Sequence, residues 1–147
     1  VDVPAGLDAT LQMFTSRMTN IEVEREYQPD LPRISAYSGE LNQVWTALIE
    51  NALDAMGDKG RLRVACRLEA DMLLVEIWDN GPGIPSELQE RIFEPFFTTK
   101  APGSGLGLGL DNAMRIVRKH RGHISVRSEP ADTCFRVRLP LDQLQAY

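Results

Sequence analysis

Two predicted β-hairpins, each preceded by a long amphipathic helix, most strongly limit the fold of this chain. In each hairpin the apolar residues alternate, which is typical of strands with one buried face. The hairpin strands run from Arg61 to Glu69 and from Met72 to Trp78, then from Ile124 to Ser128 and from Cys134 to Leu139. Hairpins interleaved with helices predict an α/β (α+β) two-layer sandwich, in which helices pack on one face of a mixed β-sheet.

The remaining elements are predicted from apolar spacing, turn residues and capping residues. In chain order they are a helix from about Ala5 to Met18, a strand from Ile21 to Tyr27, a helix from Ser38 to about Met56, a short helix near Ser86 to Ile92 and a helix from Gly107–Leu110 to His120. Ser38 is the expected N-cap of the long helix. The irregular stretch between residues 79 and 107 is long for a compact domain, and loops of that length are generally functional or disordered.

The composition fits one globular domain over residues 1–147, with 43% hydrophobic and 25% charged residues. The net charge of −5 argues against a nucleic-acid partner, since no large basic patch offsets it. Two cysteines make neither a disulfide framework nor a zinc site, and Cys66 has the strand parity of a core residue. No segment is long and apolar enough to span a bilayer. Because the chain begins at Val1 without a methionine, we expect a piece of a longer protein whose membrane or sensor parts lie outside it.

The strand that starts at Met72 ends in a carboxylate that should point inward. Leu73, Val75 and Ile77 alternate on one face, and the next residue of that parity is Asp79. A buried carboxylate is costly unless something donates a hydrogen bond to it. The loop that follows, with glycines at positions 81 and 83, lets backbone approach a ligand closely. A ligand site and a tight turn with the carboxylate bonded to its own backbone both remain open here.

A second glycine cluster spans residues 103–110 and leads into the last helix. Alternate glycines at a helix start leave unpaired N–H groups at its positive end, where phosphate binds. The cluster is not a Walker A loop, because no Lys-Ser/Thr pair follows it, and it lacks the preceding strand of a dinucleotide fingerprint. A flexible loop is the alternative interpretation. On the long helix, Asn51 lies one turn after Ala47 and one turn before Asp54 and Ala55, in a polar or small stripe beside the apolar face.

Taken together, these segments resemble the histidine-kinase branch of the superfamily that includes type II topoisomerases, heat-shock chaperone ATPases and mismatch-repair ATPases. Residues 50–55 resemble the N box, residues 79–84 the first glycine box, residues 91–100 the F box and residues 103–110 the second glycine box. The Phe-Glu-Pro-Phe-Phe string at 93–97 is the part most specific to histidine kinases. The resemblance covers nearly the whole chain and implies the Bergerat-type ATP-binding fold.

The resemblance also implies roles in binding ATP and Mg²⁺. Asn51 would coordinate the Mg²⁺ that bridges the phosphates, and Asp79 would accept a hydrogen bond from the adenine amino group. Lys100 would reach a phosphate and, with Asn51, serve catalysis. Phe93, Phe96 and Phe97 would pin a mobile lid from Lys100 to Gly105, with core packing as the alternative. The further nucleotide-binding residues implied are Asp54, Gly81, Gly83, Ile84, Gly105, Leu106, Gly107, Leu108, Gly109 and Leu110.

Two departures from the family pattern bear on catalysis. The second glycine box can start at Gly103 or at Gly105, and Ile116, Val117 and His120 fall in step with the Gly105 start. In that register Leu106 takes the usual hydroxyl position. Ala47 stands where the family usually has Asn, Glu or His, four residues before Asn51. A nucleotide-binding regulatory module that has lost phosphotransfer is therefore an alternative, and an anti-sigma-factor serine kinase is a third, disfavoured by the F box.

The reaction implied by the resemblance is transfer of the ATP γ-phosphoryl to a histidine on a separate dimerisation segment of the same protein, then relay to a response regulator. His120 is followed by Arg121 and His123 by Ile124, whereas an acceptor histidine is commonly followed by an acidic residue. We expect both histidines to be structural or exposed. The full-length protein is expected to be a homodimer with this domain in the cytoplasm, whether the parent is membrane-anchored or soluble.

Overall fold

The structure, a computed structural model, describes residues 1–94 and 108–141. Its helices and strands are α1 (Val3–Met13), β1 (Ile21–Tyr27), α2 (Ser38–Met56), β2 (Gly60–Glu69), β3 (Met72–Asp79), α3 (Leu108–Lys119), β4 (His123–Glu129) and β5 (Asp132–Pro140). Within these residues the strands form a five-stranded sheet in the order β1-β2-β3-β5-β4. β1 runs parallel to β2, and the other neighbours are antiparallel. The predicted mixed sheet and its two hairpins are confirmed.

The hydrophobic core lies between one face of the sheet and the helices. Alternate residues of the central strands point into it, and they are buried because their parity places them under α2 and α3. Those strand residues are Leu62, Val64, Cys66, Leu73, Val75, Ile77, Phe135, Val137 and Leu139. Trp45, Leu48 and Leu53 of α2 and Val117 of α3 close the core from the helix side. The helices therefore form the second layer, and Cys66 is a core residue as predicted, with burial raising the pKa of its thiol to about 12.

The first helix is shorter than the sequence predicts, and it ends well before Met18. Asp2 caps its start by accepting the Ala5 N–H at 3.1 Å, so the helix begins at Val3 rather than Ala5. It stops at Met13, and a 3₁₀ turn over Thr15–Arg17 follows. The hydroxyl of Thr15 donates to the carbonyl of Gln12 at 2.8 Å, which satisfies one of the last helical carbonyls.

Ser38 is not the N-cap of α2, contrary to prediction. The cap is Tyr37, with no side-chain capping hydrogen bond, and its carbonyl accepts the N–H of Leu41 at 3.0 Å. The tertiary environment fixes this start, because the Tyr37 N–H donates to Nε2 of His120 at 3.2 Å. His120 is buried, and its other ring nitrogen lies 2.9 Å from the carbonyl oxygen of Ile116, so its role is structural as expected. His123 is exposed at the start of β4.

The short helix expected near Ser86 to Ile92 is only a 3₁₀ turn over Ser86–Leu88 followed by further turns. The side chain of Gln89 leaves this segment to donate to the carbonyl oxygens of Ile84 at 2.8 Å and Ser128 at 3.0 Å. These side-chain bonds tie the segment to the neighbouring loop and to β4.

Candidate functional site

Asp79 ends β3 with its side chain turned into the helix layer, as the strand parity predicts. It is 1% exposed and pairs across the sheet with Leu62 of β2 and Thr133 of β5. Burial raises the pKa of its carboxyl to about 6, partly offset by a hydrogen bond that it accepts from the Gly81 N–H at 2.9 Å. This is the bond to local backbone expected of a tight turn. It uses one of about four acceptor sites of a carboxylate, which leaves others for a ligand.

The glycines after Asp79 are required by close packing. A Cβ on Gly81 would lie 3.2 Å from the Cβ of Ala55 and 3.0 Å from Oδ1 of Asp79. Gly83 has φ +92°, and a Cβ there would lie 2.8 Å from the carbonyl oxygen of Glu129. The first glycine box therefore lies between α2 and the β4–β5 turn, with its backbone beside Asp79.

One stripe of α2 joins this loop to the start of α3. Ala47, Asn51 and Ala55 are spaced four residues apart and so share a face over about 12 Å of helix. Ala55 contacts Gly81 at one end, and at the other a Cβ on Gly109 would lie 3.4 Å from the Cβ of Ala47. Asn51 lies halfway between, half-buried, and its side chain makes no hydrogen bond within residues 1–94 and 108–141.

The start of α3 lies at the far end of this stripe. α3 is described from Leu108 onward, so Gly109 and Leu110 lie at the start of its described part. Lys100, Gly105, Leu106 and Gly107 lie outside the described residues, as do Phe96 and Phe97. Phe93 is described, and its ring packs edge-on against Phe135 at 6.2 Å between centroids, which fits the core-packing alternative.

Comparison with known proteins identifies the family. A sequence model described as histidine kinase-, DNA gyrase B- and HSP90-like ATPase matches residues 37–143. The chain belongs to this ATPase family. The match covers the N box, both glycine boxes and the F box, so the resemblance read from those motifs is confirmed.

The relatives within this ATPase family are histidine kinases. The sensory histidine kinase/phosphatase NtrB of Rhizobium leguminosarum bv. phaseoli is 39% identical over 157 aligned positions, which cover 95% of this chain and 40% of the relative. The catalytic domain of histidine kinase ThkA, solved in a nucleotide-free form, superposes with a TM-score of 0.90 at 28% identity, covering 99% of this chain and 96% of that one. A structure of ThkA in complex with response regulator protein TrrA matches with a TM-score of 0.84 at 26% identity, covering 99% of this chain and 42% of that one.

The structural matches confirm the predicted fold. The chain spans less than half the length of the relative from Rhizobium. Within the part of the chain that the structure describes, no helix has the length and apolar character to cross a membrane.

Asp54 of the N box has a neighbour that the sequence did not reveal. Its carboxylate pairs with Nη2 of Arg17, from the 3₁₀ turn after α1, at 2.7 Å. The pair joins residues 37 positions apart, so no local pattern could indicate it. Thr133, directly across the sheet from Asp79, was also missed, because this pairing joins strands of two different hairpins.

The residues present fit a magnesium ion of the kind that ATPases use. No group of three or more His, Cys, Asp or Glu side chains able to hold a metal lies within residues 1–94 and 108–141. Mg²⁺ usually retains waters and takes one or two protein oxygens plus substrate phosphates, so a single amide oxygen on α2 suffices. Asn51 offers such an oxygen, since no other side chain in the described regions competes for it.

Proposed function

We propose that this chain is the ATP-binding catalytic domain of a sensor histidine kinase, which transfers the γ-phosphoryl of ATP to a histidine on a separate dimerisation segment of the same protein. The observation that carries the proposal is the α2 stripe, which runs from the loop after Asp79 to the start of α3 and places Asn51 midway. A stripe with a buried acceptor at one end and the start of a helix at the other suits a purine nucleotide lying along it, since helix N-termini bind phosphate.

The adenine lies at the Asp79 end of the stripe in this proposal. The carboxylate accepts a hydrogen bond from the exocyclic amino group, and the backbone of Gly81, Gly83 and Ile84 closes on the ring. An acceptor that is 1% exposed and has one protein donor gains more from a ligand donor than an exposed group would, because water does not compete for it.

The triphosphate lies toward α3. The N–H groups at Gly109 and Leu110, together with Gly105, Leu106, Gly107 and Leu108, hold phosphate oxygens, and Lys100 adds a point charge. Asn51, with Asp54 one turn on, lies between base and phosphates and offers its amide oxygen to Mg²⁺. When bound, Mg²⁺ neutralises charge on the phosphates. The protein itself contributes mainly positioning.

The acceptor histidine belongs to another segment. His120 is buried and has both ring nitrogens engaged, so it cannot attack a phosphate. The relatives support phosphotransfer, since NtrB is named a sensory histidine kinase/phosphatase and ThkA was solved with a response regulator. We extend this to a response regulator as the final acceptor, a homodimeric parent and a cytoplasmic location for the domain.

Ala47 favours a second candidate, a nucleotide-binding module without phosphotransfer. The structure adds a packing reason for alanine, because this position faces Gly109 where α2 meets α3. A small residue here therefore does not by itself mean that catalysis is lost.

The test combines binding with transfer. Calorimetric titration with ADP and Mg²⁺ measures binding, and radiolabelled ATP with a histidine-bearing dimerisation fragment measures transfer. We expect both with the native domain, and Asn51→Ala should abolish transfer while Asn42→Ala, an exposed asparagine on the same helix, should not. Nucleotide binding without any phosphohistidine on a competent fragment would support the second candidate instead.

A further inference from the structure

The β4–β5 hairpin contacts the first glycine box, residues 79–84, through its backbone and through Ser128. The Ala131 N–H, in the hairpin turn, donates to the carbonyl oxygen of Gly81 at 2.8 Å, and Gly83 lies against the carbonyl of Glu129. The Ile84 N–H donates to the hydroxyl of Ser128 at 2.8 Å. The loop that would close on the base is thus held by two hydrogen bonds and one close backbone approach to an element far from it in sequence.

Ser128 connects this loop to the strand beside Asp79. Its hydroxyl lies 2.6 Å from that of Thr133, its cross-strand partner, and Thr133 is in turn the cross-strand partner of Asp79. Asp79, Thr133 and Ser128 therefore form one row across β3, β5 and β4 on the helix side of the sheet. Thr133 is 3% exposed, so its hydroxyl depends on Ser128 for a hydrogen bond among the described residues.

Gln89 supports the same clamp. Its side-chain amide donates to the carbonyl oxygens of both Ile84 and Ser128, and so joins the loop to β4 from the other side. The contacts of Ser128 thus include the loop through Ile84, the Asp79 row through Thr133 and the 3₁₀ segment through Gln89.

We propose that Ser128 is a positioning residue for base recognition, acting through Ile84 and Thr133 on the position of the loop beside Asp79. The inference rests on the proposed function, because it takes the ligand that binds at Asp79 to be an adenine. Without the Ser128 hydroxyl, the Ile84 N–H and the Thr133 hydroxyl lose their common partner, and the loop from Gly81 to Ile84 is held less tightly beside Asp79.

The experiment compares ADP with inosine diphosphate. The hypoxanthine base of the latter has a carbonyl in place of the amino group whose hydrogen bond Asp79 would accept. Native protein should bind ADP more tightly than inosine diphosphate in calorimetric titrations. Ser128→Ala should weaken ADP binding about tenfold, the scale of one lost hydrogen bond, and should lower the ratio of the two affinities. Ser128→Thr keeps the hydroxyl and should restore both the ADP affinity and the ratio of the two affinities. Ser125→Ala, exposed on the opposite face of β4, is the control and should change neither quantity.

Hydrogen exchange supplies a readout that needs no nucleotide. In the free protein the Ile84 amide should exchange about tenfold faster in Ser128→Ala than in native protein, since it has lost its acceptor. An unchanged affinity ratio in Ser128→Ala, or failure of Ser128→Thr to restore it, would overturn the inference even if the fold were weakened.

A second variant covers the case in which Ser128→Ala does not fold. Gln89→Ala removes a side chain from the same clamp near the surface, with exposed Glu90→Ala as its control. It should lower the affinity ratio in the same direction, and an unchanged ratio there would overturn the inference. Failure of the native protein to prefer ADP would instead overturn the proposed function, so the two failures are distinguishable.

Discussion

The carboxylate of Asp79 accepts a hydrogen bond from the N–H of Gly81 at 2.9 Å, and that bond only partly offsets the burial of the charge. The pKa of Asp79 stays raised, at about 6 against an ordinary 3.8, because desolvation outweighs the hydrogen bond. A raised pKa in the folded state means that the ionised carboxylate destabilises the free domain. The contribution of this group to stability is present in full below the pKa that it has in the unfolded chain, and it is lost as pH rises through about 6. The total loss in the free energy of unfolding is about 3 kcal/mol.

Asp79→Asn should therefore stabilise the free domain while it weakens nucleotide binding. At pH 7 the free energy of unfolding should rise, by up to about 3 kcal/mol, because no buried charge remains, and at pH 4 the gain should be much smaller. ADP affinity should fall about tenfold, since an amide can present a donor to the adenine amino group. Denaturant unfolding at the two pH values and calorimetry check both. Asp71→Asn, in the turn at the other end of β3, is the control, and equal gains at both pH values would contradict the assignment.

Nucleotide binding should strengthen as pH rises through about 6. The ionised carboxylate is the better acceptor for the amino group, so ADP binding should favour it and release a proton below that pH. Affinity measured between pH 5 and 8 should rise and then level off above pH 7. The phosphates of the nucleotide also titrate, and the Asp79→Asn profile separates their contribution. A native profile that matches the variant would remove Asp79 from base recognition.

Strand parity predicted the direction of Asp79, because a side chain's face in a strand depends only on its position along the chain. The same logic placed Cys66 in the core. It could not predict the Arg17–Asp54 pair or the Ser128–Ile84 bond, since these join segments 37 and 44 residues apart through turns whose conformation no local pattern sets. The predicted Ser38 cap failed for a related reason, because Tyr37 is held by His120, 83 residues away. Local rules thus predicted which way the strand side chains point, and tertiary contacts determine what supports them.

Gly83→Ala should destabilise the domain and weaken ADP binding together. Position 83 has φ +92°, and an added Cβ would meet the Glu129 carbonyl oxygen at 2.8 Å, so both strain and a clash oppose it. We expect a loss of about 1–3 kcal/mol in the free energy of unfolding. Gly39→Ala is the matched control, because a Cβ there has no neighbour within 4 Å. Alanine also has a higher helix propensity than glycine, so this variant should be at least as stable as the native protein. A Gly83→Ala variant as stable as the native protein would contradict the described loop.

Gly109→Ala separates helix stability from phosphate binding. A Cβ at this position would have ordinary contact with Ala47 at 3.4 Å, so α3 has room for it. Replacing glycine by alanine in a helix favours folding by up to about 1 kcal/mol. ADP affinity should nevertheless fall if phosphate approaches the backbone here. Calorimetry and thermal unfolding of the same sample check the two effects, and an affinity equal to native would place the phosphates away from Gly109.

Ala47→Asn separates a working kinase from a nucleotide-binding module without phosphotransfer. In a working kinase the native domain phosphorylates a supplied dimerisation fragment, and the substitution changes the rate on the order of tenfold, or about 1.4 kcal/mol of barrier. In a module that has lost transfer, the native domain binds ATP and transfers nothing, and the asparagine restores transfer if the phosphate ligands are in place.

Because position 47 faces Gly109, the larger side chain in Ala47→Asn also tests whether α2 and α3 can separate slightly. Ala9→Asn, on the exposed face of α1, is the control, because it shows how much the same substitution lowers the free energy of unfolding when it only weakens a helix. A lower transfer rate in Ala47→Asn without a matching loss of stability then reflects a change at the site. ATP bound by both forms, with phosphohistidine formed by neither, would count against the kinase.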